Sequence, residues 1–277
     1  MMKKRRADEA LYEDLNLESL ALARALIMEG RVMAGDRKIL RASEPLKPGD
    51  ALRVRGELDA YVSRGAHKLK KALRVFDIDI SGSVCIDVGA STGGFTDVML
   101  RAGARQVYAV DVGYNLLDYR LRSDARVVSL ERTNARFLKP EDFDPRPSFG
   151  ATDVSFISLK AVLPPALAVL QGEARRFVAL IKPQFEADRA EVGEKGVVRE
   201  RSVHRRVLED ITAFIPTLGW RVNALDYSPI RGPEGNIEFL LDLVPDRPTG
   251  DRMGVYSVDA TIERAYDNFF KSCKEGL

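Results

Sequence analysis

Cysteine is nearly absent from this chain of 277 residues: Cys85 and Cys273 are the only two, too few for a disulfide framework or a four-ligand zinc site. Histidine is as scarce, and His67 and His204 stand at no spacing that metal ligands use, so no metal is expected. The one tryptophan, Trp220, heads an apolar run and suits a core position. Long hydrophobic runs are missing as well. No stretch of eighteen or so apolar residues is available to cross a bilayer as a helix, and Met-Met-Lys-Lys-Arg-Arg at the start lacks the apolar centre of a secretion signal. A reducing cytoplasm without membrane attachment is the expected setting. Internal repeats and low-complexity segments are also lacking.

What is present is a 45% hydrophobic composition, ample for the core of one large domain and a small companion. The net charge of +2 hides an asymmetry: residues 1–75 hold 17 Lys/Arg against 11 Asp/Glu, and the remainder 26 against 30. The basic excess is sharpest over 53–74, where seven basic residues face two acidic ones. Such a stretch suits a phosphate backbone, and equally a solvated helix surface.

The chain is organised around residues 84–111. An apolar run at 84–88 predicts a buried strand, a glycine-bearing turn follows at 89–94, helical spacing covers 95–102, and a second strand over 106–110 ends on Asp111. Gly89 and Gly93 permit a sharp turn and a close approach to a ligand, and the first helix amides favour an anionic group. Asp111, on the same sheet edge, can accept from both hydroxyls of a ribose. The turn reads D-V-G-A-S-T-G-G rather than G-x-G-x-x-G, which argues against a nicotinamide cofactor. It is similar to the first motif of S-adenosylmethionine-dependent methyltransferases. That resemblance implies cofactor contacts from Gly89, Ala90, Ser91, Thr92, Gly93, Gly94, Phe95, Asp111, Asn134 and Asp153, with Asn134 beside the adenine.

Further strands are expected at 126–130, 149–154, 177–181, 220–227 and 237–243, with helices at 116–123, 159–170, 202–218 and 258–271. The last two strands, joined by S-P-I-R-G-P-E-G-N, read as a hairpin. The fold class expected is α/β: a Rossmann-like methyltransferase fold, mostly parallel with a terminal antiparallel strand, plus a small α+β domain in front. The boundaries expected are 1–56 for the small domain, 57–61 for a linker, 62–244 for the methyltransferase domain and 245–277 for a tail with a helix. A long polar segment at 183–200 reads as a mobile lid.

In the front domain, helices over 7–14 and 19–29 are followed by strands at 31–33 and 51–54. S-L-A-L-A-R-A-L-I-M-E-G-R-V and K-P-G-D resemble the small RNA-binding domain of ribosomal protein S-four and pseudouridine synthases. RNA contacts are expected from Arg6, Lys38, Arg64, Lys70 and Lys71.

Four residues lie where a doubly wound fold places its chemistry: Lys68 in a basic loop before the first strand, Asp153 and Lys182 at strand ends, and Glu238 at the start of the last strand. A strand-terminal Asp often caps a helix, and a surface Lys or Glu often does nothing but pair with a neighbour. The surrounding segments S-R-G-A-H-K-L, D-V-S-F-I-S-L, L-I-K-P-Q-F-E and S-P-I-R-G-P-E-G-N-I-E-F-L resemble the TlyA hemolysin family of FtsJ-like ribose 2′-O-methyltransferases. That resemblance implies a catalytic set Lys68, Asp153, Lys182 and Glu238, with S-adenosylmethionine as cofactor and ribosomal RNA or a ribosomal subunit as partner. Lys182, held by Asp153 and Glu238, is expected to act on the hydroxyl, as an ammonium stabilising alkoxide or as a base. An RNA-binding assembly factor with a vestigial cofactor site and a membrane-lytic protein are the competing readings.

Overall fold

The computed structural model describes residues 5–15, 17, 20–28, 30–47, 49–55, 61–246 and 256–271. Residues 57–60 of the expected linker, 247–255 of the tail, and Cys273 lie outside these ranges. The chain divides into two compact units, 1–60 and 61–277.

In the first unit, α1 (Ala7–Asp14) and α2 (Leu20–Met28) pack on a sheet of β1 (Val32–Ala34), β2 (Arg37–Lys38) and β3 (Leu52–Val54), ordered β2-β1-β3 and antiparallel throughout. Ala7, Leu11, Leu26, Ile27, Val32 and Ile39 form its core. Gly30 ends α2 with φ +68°, its N–H donating to the Ile27 carbonyl at 2.9 Å, the left-handed stop that glycine permits. Asp8 is fully buried and clamped by Arg6 at 3.0 and 2.9 Å and by Arg24 at 2.9 Å. The two guanidiniums hold its carboxyl down at about 2.

The second unit is built on seven strands: β4 (Val84–Val88), β5 (Gln106–Val110), β6 (Val127–Leu130), β7 (Phe149–Thr152), β8 (Arg176–Ile181), β9 (Trp220–Tyr227) and β10 (Phe239–Pro245). Their order is β6-β5-β4-β7-β8-β10-β9. β10 runs antiparallel to both neighbours. The last strand is therefore inserted between β8 and β9, leaving β9 at the edge.

Alternation along the strands divides the core. Phe177, Ala179 and Ile181 face one apolar layer with α6 (Leu159–Ala168), α8 (Arg201–Phe214) and α9 (Val258–Tyr266), while Val178 and Leu180 face a second layer with α3 (Ala66–Val75) and α4 (Gly94–Arg101). This is the period-2 consequence of a sheet covered on both faces. Trp220 is core, 4% exposed.

Three expectations are corrected. The helix over 116–123 is one short turn, α5 (Tyr119–Arg122), capped by Asp118, and Tyr114 and Tyr119 are exposed. Lys68 sits in the first turn of α3, not on a loop. The 183–200 segment is structured: α7 (Pro183–Glu186) opens it, with Pro183 at the first helical position where a missing N–H costs nothing. Its far end is tied down because Asn236 accepts from Val198 N–H at 2.9 Å and donates to the Gly196 carbonyl at 2.8 Å. A side chain from outside that bonds the polar loop gives it order its composition hides.

Candidate active site

The carboxyl ends of β4, β5, β7 and β8 open onto two adjoining cavities. The first, about 590 Å³, is lined by Gly89, Ser91, Asp111, Leu116, Asn134, Asp153, Phe156 and Val162 among others. The second, about 310 Å³, is lined by Lys68, Asp87, Gly89, Ser91, Thr92, Gly94, Phe95, Asp153, Ser155, Lys182 and Glu238 among others. Gly89, Ser91, Asp153 and Ser155 border both.

The glycine turn is shaped as much by packing as by any ligand. Gly89 has φ +85°, and a Cβ there would meet the Asp153 carbonyl at 3.2 Å. Gly93 lines neither of these cavities, and its missing side chain makes room for Leu117 and Leu121. Gly94 admits Ser63 and the amide of Ala66, which brings α3 against α4. Phe95 is 3% exposed and belongs mainly to the core.

Asp87, which opens the D-V-G-A-S-T-G-G turn, had no site role expected from sequence and is the most unusual carboxyl of the turn. It is 1% exposed. Thr96 donates to Oδ2 from its amide at 2.8 Å and from its hydroxyl at 2.7 Å, while Oδ1 is buried without a hydrogen-bond partner among the described residues. Burial pushes this carboxyl up to about 7 against the pull of Thr96. Asp111 accepts from the amides of Ser91 at 2.8 Å and Gly113 at 2.7 Å, so each oxygen keeps a further lone pair for a ligand. Asn134 caps the turn that follows β6, accepting from Arg136 N–H at 3.1 Å. Ser91 (φ +49°) and Phe156 (φ +62°) hold left-handed backbone on the lip of the first cavity, a conformation that costs a non-glycine residue about 1–3 kcal/mol and clusters at functional sites.

In the second cavity, all four residues of the expected catalytic set meet. Lys182 Nζ lies 2.5 Å from Asp153 Oδ1 and 2.9 Å from Ser155 Oγ. Lys68 Nζ lies 3.0 Å from Asp153 Oδ2 and 2.8 Å from Glu238 Oε2. Glu238 therefore holds Lys68 rather than Lys182, which corrects the pairing expected from sequence. Ser155 is the partner that reasoning missed; the serine of D-V-S-F carried no separate signal. Asp153 Oδ1 takes the Lys182 ammonium and Glu238 Oε2 the Lys68 ammonium, and a carboxylate oxygen that accepts from one donor keeps a second lone pair.

Burial and charge oppose one another throughout this cluster. Burial pulls Lys68 down, but Asp153 and Glu238 together outweigh it and keep its proton held more tightly than usual. Burial raises Asp153, yet Lys68 and Lys182 bring it below the ordinary carboxylate range. For Glu238 burial prevails over Lys68, and its carboxyl is raised. An ammonium has three donors. Lys182 spends two on Asp153 and Ser155, leaving one for an atom entering the cavity.

The basic residues expected to grip RNA divide in two. Arg6 is occupied with buried Asp8. Lys71 bonds Asp226 at 2.9 Å and the Tyr227 carbonyl at 2.6 Å, and its ammonium lies 3.5 Å over the Tyr227 ring, so it fastens α3 to β9. Lys38 and Arg64 are exposed, and Lys70 lies over the Tyr61 ring.

No helix among the described residues is long and apolar enough to cross a membrane. Residues 61–243, which include both cavities, match the model of the FtsJ-like methyltransferases. YqxC of Bacillus subtilis, whose name marks rRNA methyltransferase activity as proposed, is 43% identical over 99% of this chain and 96% of its own. The 16S/23S rRNA (cytidine-2′-O)-methyltransferase TlyA of Mycobacterium tuberculosis is 41% identical over 87% of this chain and 90% of its own. The solved structure of a Streptococcus thermophilus protein proposed to be a hemolysin is 44% identical and superposes with a TM-score of 0.76, covering 99% of this chain and 100% of that one. This chain belongs to the FtsJ-like methyltransferase family, in its TlyA branch.

Proposed function

We propose that this protein transfers a methyl group from S-adenosylmethionine to a ribose 2′-hydroxyl of ribosomal RNA, at a cytidine, in the cytoplasm. The observation that carries this reading is the Lys182 ammonium, held by Asp153 and Ser155 with one donor free, in a cavity that adjoins the glycine turn. The M. tuberculosis relative is named for the same reaction.

The residues present fit the cofactor. The orphaned Asp87 Oδ1 suits the ammonium of its amino-acid end, Asp111 its ribose hydroxyls, and Leu116, Asn134 and Val162 the adenine. S-adenosylmethionine supplies a methyl already activated on a sulfonium. The protein's task is then to align the acceptor hydroxyl and dispose of its proton. Lys182 orients the hydroxyl and stabilises the alkoxide that develops as oxygen takes the methyl. The proton passes to Glu238, whose buried carboxylate is the more basic of the two, while Lys68 stays charged and holds Asp153 and Glu238 in place. RNA outside the site is held by exposed Lys38 and Arg64 and by half-buried Lys70.

Transfer of a labelled methyl to purified ribosomal subunits and to naked ribosomal RNA tests this, with the product mapped by resistance to alkaline cleavage. One alkali-resistant position is expected. Cofactor binding without transfer to either acceptor would reject the RNA substrate, and absence of cofactor binding would favour the assembly-factor reading.

A further inference from the structure

A third cavity, about 460 Å³, lies on the other side of the loop that carries Glu238. It is lined by Arg199, Arg231, Glu234, Tyr266 and Phe270, with Val197, Val198 and Ile237 behind them. The loop over 228–238 separates it from the second cavity: Pro233 and Glu238 face the catalytic cluster, while Arg231, Glu234 and Ile237 face the third cavity. Arg64, which borders the catalytic cavity, donates to the Arg231 carbonyl at 2.6 Å. A basic path therefore runs from one cavity to the other.

The loop is pre-shaped. Gly232 N–H donates to the Asn236 carbonyl at 2.9 Å, Ser228 Oγ to the Ile230 carbonyl at 2.6 Å, and Asn236 ties the loop to Gly196 and Val198. Arginines elsewhere on this unit are mostly neutralised: Arg122 by Glu131, Arg126 by Asp124, Arg205 by Asp259, Arg264 by Asp226. Among the described residues, Arg199 and Arg231 have no carboxylate in ion-pair range. Arg231 lies instead over the rings of Phe269 and Phe270, at 5.6 and 5.4 Å. Those two phenylalanines are presented by a π-helical turn, Asp267–Lys271, a geometry frequent at functional sites. The Tyr266 and Phe270 rings are 5.4 Å apart and tilted by 38°. Unpaired guanidiniums beside aromatic faces are what an unstacked nucleotide needs: charge for its phosphate and a surface for its base.

We propose that this cavity holds a second, unmethylated nucleotide of the same RNA, with its phosphate between Arg199 and Arg231 and its base against Tyr266 and Phe270. The inference rests on the RNA-methyltransferase reading above. It makes the 228–238 loop a divider that places one nucleotide for reaction and grips another for position.

The test measures binding and transfer separately on the full-length protein, with purified ribosomal RNA as the probe. The double variant Arg199→Ala/Arg231→Ala is expected to weaken RNA binding about tenfold at moderate salt and to flatten the log–log salt dependence by about 1–2. Phe270→Ala is expected to weaken binding several-fold without changing that slope. Cofactor affinity and kcat at saturating RNA stay at wild-type values in all of them. Arg205→Ala, which removes an arginine already paired with Asp259, is the control and leaves RNA affinity unchanged. Wild-type affinity and salt slope in the folded double variant would overturn the proposal, as would an equal loss in the control. RNA binding by the wild type without transfer would reject the reaction assigned above while leaving the binding comparison to decide this site.

Discussion

Strands β8 and β10 carry buried charge at both ends, and the two ends behave differently. At the amino end of β8, Arg176 donates to both oxygens of Asp242 at 2.7 Å, Asn223 adds a third donor at 2.7 Å, and the Phe76 carbonyl takes a further guanidinium proton at 2.7 Å. Asp242 is fully buried, and no oxygen of it is left over. At the carboxyl end of β8, Lys182, Asp153, Lys68 and Glu238 are packed as closely, but each oxygen of Asp153 accepts from one ammonium only and Lys182 keeps one donor unspent. Helix α3 closes both ends, supplying Lys68 from its first turn and the Phe76 carbonyl from its last. A closed network fixes the sheet, and an open one keeps partners for something that arrives. Burial alone does not distinguish structure from chemistry; unfilled valence does.

The largest effect that separates the ends is expected from Lys182→Ala. Methyl transfer should fall about 10³-fold, the scale on which a preorganised charge beside a developing anion acts, while cofactor binding by calorimetry changes little and the melting temperature falls less than in Asp242→Ala, because Lys68 still pairs with Asp153. A variant that melted early and kept its turnover would place Lys182 with the closed network. Asp242→Ala is the converse. Removing one member of a buried pair costs about 3 kcal/mol or more, read as a lower denaturant midpoint, with unchanged transfer per folded molecule. Arg176→Met combined with Asp242→Leu should recover most of that loss, since the pair can be replaced by packing.

The carboxyl of Asp87 sharpens the comparison through pH. Its folded value near 7 lies above the ordinary 3.8, so the folded apo-protein holds this proton more tightly than the unfolded chain. The associated stability is complete below about 3.8 and is lost as pH rises through 7. Cofactor affinity should move the opposite way, rising by up to tenfold per pH unit until about 7 as the carboxylate needed by an ammonium forms. Asp87→Asn is expected to remove that slope, weaken cofactor binding about tenfold at pH 8, and leave the apo-protein no less stable there.

Much of this was legible in the sequence because it is local. The apolar run Val84–Val88 and the glycines after it specify strand and turn without help from the rest of the chain. Period-2 alternation puts Arg176 and Lys182 on one face, with Val178 and Leu180 between them. Pairings between distant segments were not legible. That Glu238 holds Lys68 rather than Lys182 depends on where α3 crosses the sheet, and Lys68 is 170 positions away from it in the chain. The order of the 183–200 segment depends on Asn236 in the same way, and the ion pair that occupies Lys71 is made with Asp226, far along the chain.

The smallest expected effect divides the open cluster itself. Burial outweighs Lys68 at Glu238 and raises its carboxyl, so the stability it contributes is present below its ordinary value of 4.5 and is lost as pH rises above it. Glu238→Gln should therefore match or exceed the wild-type melting temperature at pH 8, by no more than about 2–4 °C for roughly 1 kcal/mol in a domain of this size, and the advantage should vanish below pH 4.5. Asp153 is shifted the other way: burial is overcome by Lys68 and Lys182, so its contribution is present above 3.8 and is lost on acidification below that value. Asp153→Asn should lower the melting temperature at pH 8 and lose that deficit in acid. Both variants should fail in methyl transfer. Opposite thermal signs with a shared catalytic loss would show that Glu238 is kept at the expense of stability, as an open valence requires. Equal destabilisation by both would mean that the two ends of the sheet are built alike.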